Sequence, residues 1–284
     1  MDTYYINLES AEARRHSIEE SFRQYGDKNG RLHRVEAVDA ARVVADAVPG
    51  KISDTEKACF LSHRRAIDRS RRDGTHSLIV EDDVRFGPST FKMFDKFGDT
   101  FDTFDIVFTD IDFCNLNYMF QFFLLRRELS RNGTFRLLDL GEIPFFGAAA
   151  YIVNARSKEK ILGLIDGLSS VEFPYDIQLQ NWVKSGCLKA GVAFPFLTTL
   201  SNCSGHSTIG QASGQASSRT WSTSSREIEM ALSSYRKLIW MDFEQMQENP
   251  LGDLNKLDAS CFDMQSLFFG QILSVLLSPK FSSQ

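Results

Sequence analysis

A chain of 284 residues has room for one large domain, or for one domain with an appendage. With 43% hydrophobic and 24% charged residues it can bury a sizeable core. A net charge of −5 excludes nucleic-acid binding that relies on overall positive charge, though local basic clusters stay open.

In chain order, Thr3–Leu8 (TYYINL) reads as a first strand. Ser10 follows as an N-cap, and the helix after it carries Ile18, Phe22 and Tyr25 at helical spacing before Gly26. Leu32–Asp39 is a second strand ending in an acid. Ser53–Asp54–Thr55–Glu56 has the form of a capping box, and its helix is predicted to run to about Asp73 and stop at Gly74. Ser77–Val84 and Phe104–Asp112 are further strands. Phe135–Val153 gives extended segments broken by Pro144 and Gly147. Helices are expected around Arg156–Leu168 and Asp176–Ser185, and a strand over Lys189–Phe196.

Strands with apolar interiors that alternate with helices predict an α/β fold with a largely parallel sheet. In such sheets ligands sit outside the carboxyl ends of strands. Asp39, Glu81–Asp83, Asp110 and Asp112 all fall at or near such ends.

Residues 210–225 (GQASGQASSRTWSTSS) have almost nothing to bury and read as a flexible loop or linker. They divide a domain over 1–209 from a helical extension over 226–284, with helices near Arg226–Met246 and Met264–Leu277. The most apolar segment, Leu267–Leu277, falls short of the ~20 residues that cross a bilayer. The N-terminus MDTYYINLES has neither a basic nor a long apolar region, so no signal peptide is expected. Cys59, Cys114, Cys187, Cys203 and Cys261 are scattered without a C-x-x-C, which suits reduced thiols in a cytosol.

The chemistry starts at SLIVEDDVRFG, where Glu81, Asp82 and Asp83 follow a buried strand. Two carboxylates about 4 Å apart repel by roughly 4 kcal/mol at an effective dielectric near 20. Strand alternation puts Glu81 and Asp83 on one face and turns Asp82 to the other. Such a pair can hold Mn²⁺ or Mg²⁺ on a substrate phosphate. The same residues also fit a surface turn whose acids pair with Arg85 or Lys92.

Asp110 and Asp112 in TDID form a rival acid pair. His63 in EKACFLSHRR either orients an acid or touches a ligand. Arg14 in EARR either meets a diphosphate or belongs to a solvated face. Asp176 in FPYDIQLQNWV either caps a helix or serves as a general base. His206, in a Gly/Ser-rich loop, could complete a metal shell or contact phosphate.

Taken in order, YYINLESAEARR, VEAVDA, EKACFLSHRRAI, LIVEDDV, FFGAAAYIVNARSKEKIL and FPYDIQLQNWV resemble glycosyltransferase family 25. This family holds the bacterial lipooligosaccharide galactosyltransferases and their collagen-modifying relatives. The resemblance covers about residues 4 to 200. It implies a GT-A type fold, a UDP-sugar donor (most often UDP-galactose), a divalent metal and inversion at the anomeric carbon. It places Glu81, Asp82 and Asp83 at the family's D-x-D-like motif, and Pro174–Tyr175–Asp176 at a Pro-Val-Asp-like element with tyrosine in place of valine. Two stretches depart from the family pattern, Thr109–Gly133 and the Ser-rich run after Gly210.

The expectation is therefore a metal-dependent inverting transferase acting on a saccharide of cell-envelope lipooligosaccharide or polysaccharide. Glu81, Asp83 and His206 are the candidate metal ligands, and Asp176 the base, with Asp110 and Asp112 as alternatives. Asn7, Arg14, Asp39, His63, Asp82 and Gly147 are the candidates for the donor. The expected setting is the bacterial cytoplasm, with the apolar tail on the inner membrane, in the core or at a dimer interface. A catalytically silent saccharide-binding or assembly protein that retains the fold, and a metal phosphohydrolase built on Asp110 and Asp112, are the competing readings.

Overall fold

The computed structural model describes residues 1–113, 115–201, 232–243 and 269–274. The chain opens with β1 (Asp2–Asn7), α1 (Glu12–Tyr25), β2 (Leu32–Glu36), α2 (Ala40–Ala45) and α3 (Asp54–Ser70). Then come β3 (Ser77–Glu81), β4 (Val84–Phe86), α4 (Thr90–Phe94), β5 (Ile106–Phe108) and α5 (Leu116–Arg131). The rest is β6 (Arg136–Asp139), β7 (Ala150–Val153), α6 (Lys158–Asp166), α7 (Tyr175–Lys184), β8 (Ala190–Phe194) and β9 (Thr198–Leu200). Residues 232–238 and 269–274 are helical as well.

The expected α/β fold is present, and its sheet is mixed. Seven strands lie in the order β2-β1-β3-β7-β5-β8-β6, while β4 and β9 pair as a separate antiparallel ribbon. β1 is parallel to β2 and β3, and β5 to β8, whereas β7 runs against both β3 and β5, and β6 against β8. β1, β2, β3, β5 and β8 thus point one way. Their carboxyl ends share an edge with the amino end of β7.

Ser77–Val80 shows why the strand interiors are apolar on both faces. Leu78 and Val80 pack with Ile18 of α1, and Ile79 packs on the opposite side with Phe60 and Ile67 of α3. A strand covered by helices on both faces has no wet side to mark with polar residues. The described C-terminal pieces join the larger of these cores through Tyr235, Leu238, Ile239, Phe269 and Ile272.

Local signals set some boundaries and miss others. Ser53 and Glu56 form the expected capping box at the start of α3, and Gly74 adopts φ +62° beyond its end. Ser10 is not a cap; Ala11 occupies that position of α1 with no side-chain bond. The predicted strand through Val84 breaks in two, because Asp82 and Asp83 form a turn between β3 and β4. Likewise the second strand stops at Glu36, and Asp39 instead caps α2 by accepting from Arg42 N at 2.8 Å. α5 fills the Phe-rich stretch that had no predicted element. Among the described residues no helix is long and apolar enough to cross a membrane. Residues 210–225 and most of the tail lie outside the described residues.

Candidate active site

The shared strand edge gathers nearly every candidate residue. Asn7 ends β1 and is buried; its amide donates to Asp82 Oδ2 at 2.7 Å and to the Ala11 carbonyl at 3.1 Å, and accepts from Arg34 Nε at 3.0 Å. Asn7 is therefore satisfied within the protein and fixes Asp82. Arg14 of α1 reaches the other oxygen of Asp82 at 3.2 Å. Burial pushes the Asp82 carboxyl up, and the Asn7 bond and Arg14 charge offset only part of that.

A cleft of about 450 Å³ opens beside this cluster, walled by Ile6 and Ala37 and edged by Arg14, Asp39, His63, Glu81 and Asp82. Ser62 seals its floor: its hydroxyl accepts from Val38 N at 2.8 Å and donates to the Ala58 carbonyl at 2.7 Å. The turn also corrects the strand-alternation expectation, because Glu81 and Asp82 edge the same cleft.

His63 is 1% exposed and sits between two partners. Its Nε2 lies 3.3 Å from Glu81 Oε1 and its Nδ1 lies 3.0 Å from the Tyr151 hydroxyl. The Tyr175 ring stacks on the imidazole at 4.3 Å, and the two phenols meet at 3.1 Å. Burial acts to raise Glu81, yet the His63 bond, with the positive charges of Arg236 and Arg14, holds its carboxyl below the usual range.

Asp83 is treated in the opposite way. Burial and the charges of Glu81 and Asp82 push its carboxyl up to about 7. Its Oδ1 is buried and has no hydrogen-bond partner among the described residues. A buried carboxylate oxygen left without a donor, next to a second carboxylate, fits a hard divalent cation. His206, the third metal candidate, lies outside the described residues.

The rival pair Asp110/Asp112 has its own cation. Arg236 places one nitrogen 2.8 Å from Asp110 Oδ2 and donates another to Asp112 Oδ2 at 2.9 Å. The Asp110 contact lacks hydrogen-bond alignment and is Coulombic. Burial raises both carboxyls, and Arg236 opposes it. For Arg236 burial acts against its charge, but Asp110 and Asp112 more than restore it.

Asp176 is not the N-cap of α7, a position held by Pro174. It lies in the first turn, and its Oδ2 accepts from the backbone N–H of Gly147 at 2.8 Å while Oδ1 accepts from Ile177 N at 2.8 Å. Gly147 has φ +78°, and a Cβ there would sit 3.2 Å from Asp112 Oδ2. A bridge between Asp112 and Phe146, with N···O distances of 2.8 and 3.0 Å, brings this turn to the TDID segment.

Sequence reasoning missed Arg236, Tyr151, Tyr175 and Cys59. Cys59 stands four residues before His63, a spacing that marks one helix face. Arg236 had no local signal, since its partners are far away in the chain.

The profile of glycosyltransferase family 25 (LPS biosynthesis protein) matches residues 1–178. None of the curated proteins matches the chain. Among solved structures, galactosyltransferase LgtC in complex with donor and acceptor sugar analogues is 14% identical, with a TM-score of 0.35 over 68% of this chain and 73% of that one. The nucleoside-diphosphate-sugar pyrophosphorylase from Vibrio cholerae RC9 is 9% identical, with a TM-score of 0.33 over 68% of this chain and 72% of that one.

Proposed function

The chain belongs to glycosyltransferase family 25, and from that membership we propose a metal-dependent, inverting transfer of a sugar, galactose before others, from a UDP-sugar to a saccharide of the cell envelope. One observation carries this reading: a half-buried acid pair, with a buried and unpartnered oxygen on Asp83, and a separately mounted carboxylate meet at one strand edge.

The nucleotide occupies the cleft between β1, β2 and α3, where Asp39 at the rim would meet the ribose. Arg14, held by Asp82, presents a guanidinium to the diphosphate, and His63 fixes the carboxylate of Glu81. Glu81 and Asp83 would hold Mn²⁺ or Mg²⁺, whose charge would offset the charge developing on the departing diphosphate.

Inversion takes one displacement. The acceptor oxygen bonds to the anomeric carbon as the carbon–oxygen bond to the diphosphate breaks, and the acceptor's proton passes to Asp176. The Gly147 N–H holds that carboxylate on a rigid helix start, the mounting that a general base needs. The setting that goes with this reading is the bacterial cytoplasm, at the inner membrane if the acceptor is lipid-linked.

The test is UDP release over a panel of nucleotide sugars, with Mn²⁺ and with chelator. Release with one UDP-sugar and Mn²⁺ is expected, and release with none under either condition would overturn the reading.

A further inference from the structure

The face of α3 that carries His63 also carries Cys59, one turn earlier. A ring nitrogen of His63, a carboxylate oxygen of Glu81 and the Cys59 sulfur all lie within 4.8 Å of one another. The His63 Nε2 to Glu81 Oε1 separation of 3.3 Å is what two ligand bonds of about 2.0–2.1 Å span at a tetrahedral centre. The other nitrogen of the buried imidazole is engaged by the Tyr151 hydroxyl at 3.0 Å. A partner of that kind sets the tautomer and ring orientation of a metal-ligating histidine. Tyr175 holds the assembly from the side, stacked on the ring and bonded to Tyr151. Cys59, His63 and Glu81 all border the cleft, so a fourth position opens toward it.

The donor set differs in kind from the acid pair. Oxygens from Glu81 and Asp83 suit Mn²⁺ or Mg²⁺, whereas one sulfur, one imidazole and one carboxylate suit a softer ion that accepts four ligands. We propose that Cys59, His63 and Glu81 form a second metal site, of the Zn²⁺ class, which takes Glu81 away from the donor cation. Cys59 binds as the thiolate and its proton leaves to solvent. Zn²⁺ then inhibits sugar transfer in competition with Mn²⁺. The competition rests on the role given to Glu81 above, whereas the site itself does not.

Co²⁺ is the spectroscopic probe for the full-length chain. Titration is expected to give a thiolate-to-cobalt charge-transfer band with intense tetrahedral d–d bands, both removed by Zn²⁺. Cys59→Ser loses the charge-transfer band, and Tyr151→Phe, which keeps all three ligands, weakens Co²⁺ binding about 10- to 100-fold. A measurement without variants uses iodoacetamide labelling read by peptide mass mapping. Saturating Zn²⁺ should slow labelling of Cys59 by about tenfold or more while the exposed Cys187 reacts as before. No thiolate band in the parent, a band retained in Cys59→Ser, or Cys59 labelling indifferent to Zn²⁺ would each overturn the site. Zn²⁺ binding that leaves the Mn²⁺ requirement unchanged overturns the sharing of Glu81. Absence of UDP release from every nucleotide sugar, with Mn²⁺ and with chelator, overturns the transferase reading and leaves the metal site standing.

Discussion

Arg236, from the C-terminal part of the chain, lies 2.8 Å from the carboxylate of Asp110, just beyond β5, and both side chains are buried. The same guanidinium bonds Asp112. The molecule therefore answers its two acid pairs differently. TDID is paired with the chain's own cation, whereas Asp83 has no ion pair among the described residues; an unpartnered oxygen is common to both, on Asp110 as on Asp83.

Removing that cation strands the fully buried Asp110 carboxylate and leaves the half-buried Asp112 without its partner. Breaking a buried ion pair by deleting one partner costs about 3–5 kcal/mol. Arg236→Met is expected to lower the urea midpoint accordingly, and adding Asp110→Asn with Asp112→Asn to recover much of the loss. A single variant as stable as the parent would show that the pair adds nothing.

Asp176→Asn keeps an oxygen that can accept the Gly147 N–H but loses the basic carboxylate. General-base catalysis is worth about 10² to 10⁴ in rate, so turnover should fall by that factor with donor affinity nearly intact. Calorimetric binding of UDP beside single-turnover rates separates the two. Near-normal turnover would leave Asp176 a purely structural role.

Gly147→Ala acts on the same bond from the other side. A non-glycine residue at φ +78° costs about 1–2 kcal/mol in the left-handed region. Its Cβ would also press on Asp112 Oδ2 at 3.2 Å. Thermal melting should show the loss, and turnover should drop with it as the N–H moves off Asp176. A variant that melts lower but turns over normally would uncouple the glycine from the base.

Asp83 makes stability depend on pH in a specific direction. Its carboxyl rises from 3.8 to about 7 on folding, through burial first and then the charges of Glu81 and Asp82. Between those values the folded chain holds a proton that the unfolded chain has released. This contribution is therefore full below the lower value and is lost as pH climbs to the upper one. In chelator, Asp83→Asn should flatten the melting temperature over that window relative to the parent. Mn²⁺ has to displace the same proton, so its stabilising effect should grow with pH. Equal slopes for parent and variant would contradict the assignment.

Features fixed by neighbours in sequence were readable in advance. The Ser53–Glu56 box lies within one turn of α3, and the buried run of β3 announces a strand covered on both faces. α5 was hidden because its Phe-rich run is apolar nearly all round, leaving Phe120 and Leu124 exposed and blurring the helical period. The turn at Asp82 could not be read from alternation, because it is held by Asn7 and Arg14 from β1 and α1. Arg236 needed the whole fold, since Asp112 is 124 residues away.

The strand order also governs how this protein can be cut. β8 begins beyond residue 178, where the family profile ends, yet it lies between β5 and β6 in the sheet. β9 pairs with β4, and Ser201 N bonds the Asp83 carbonyl at 2.7 Å. An expression fragment trimmed to the matched region would lose an inner strand and the clamp on its acidic turn together. The stretch matched by the family profile is thus shorter than the stretch that builds the sheet and its acidic turn.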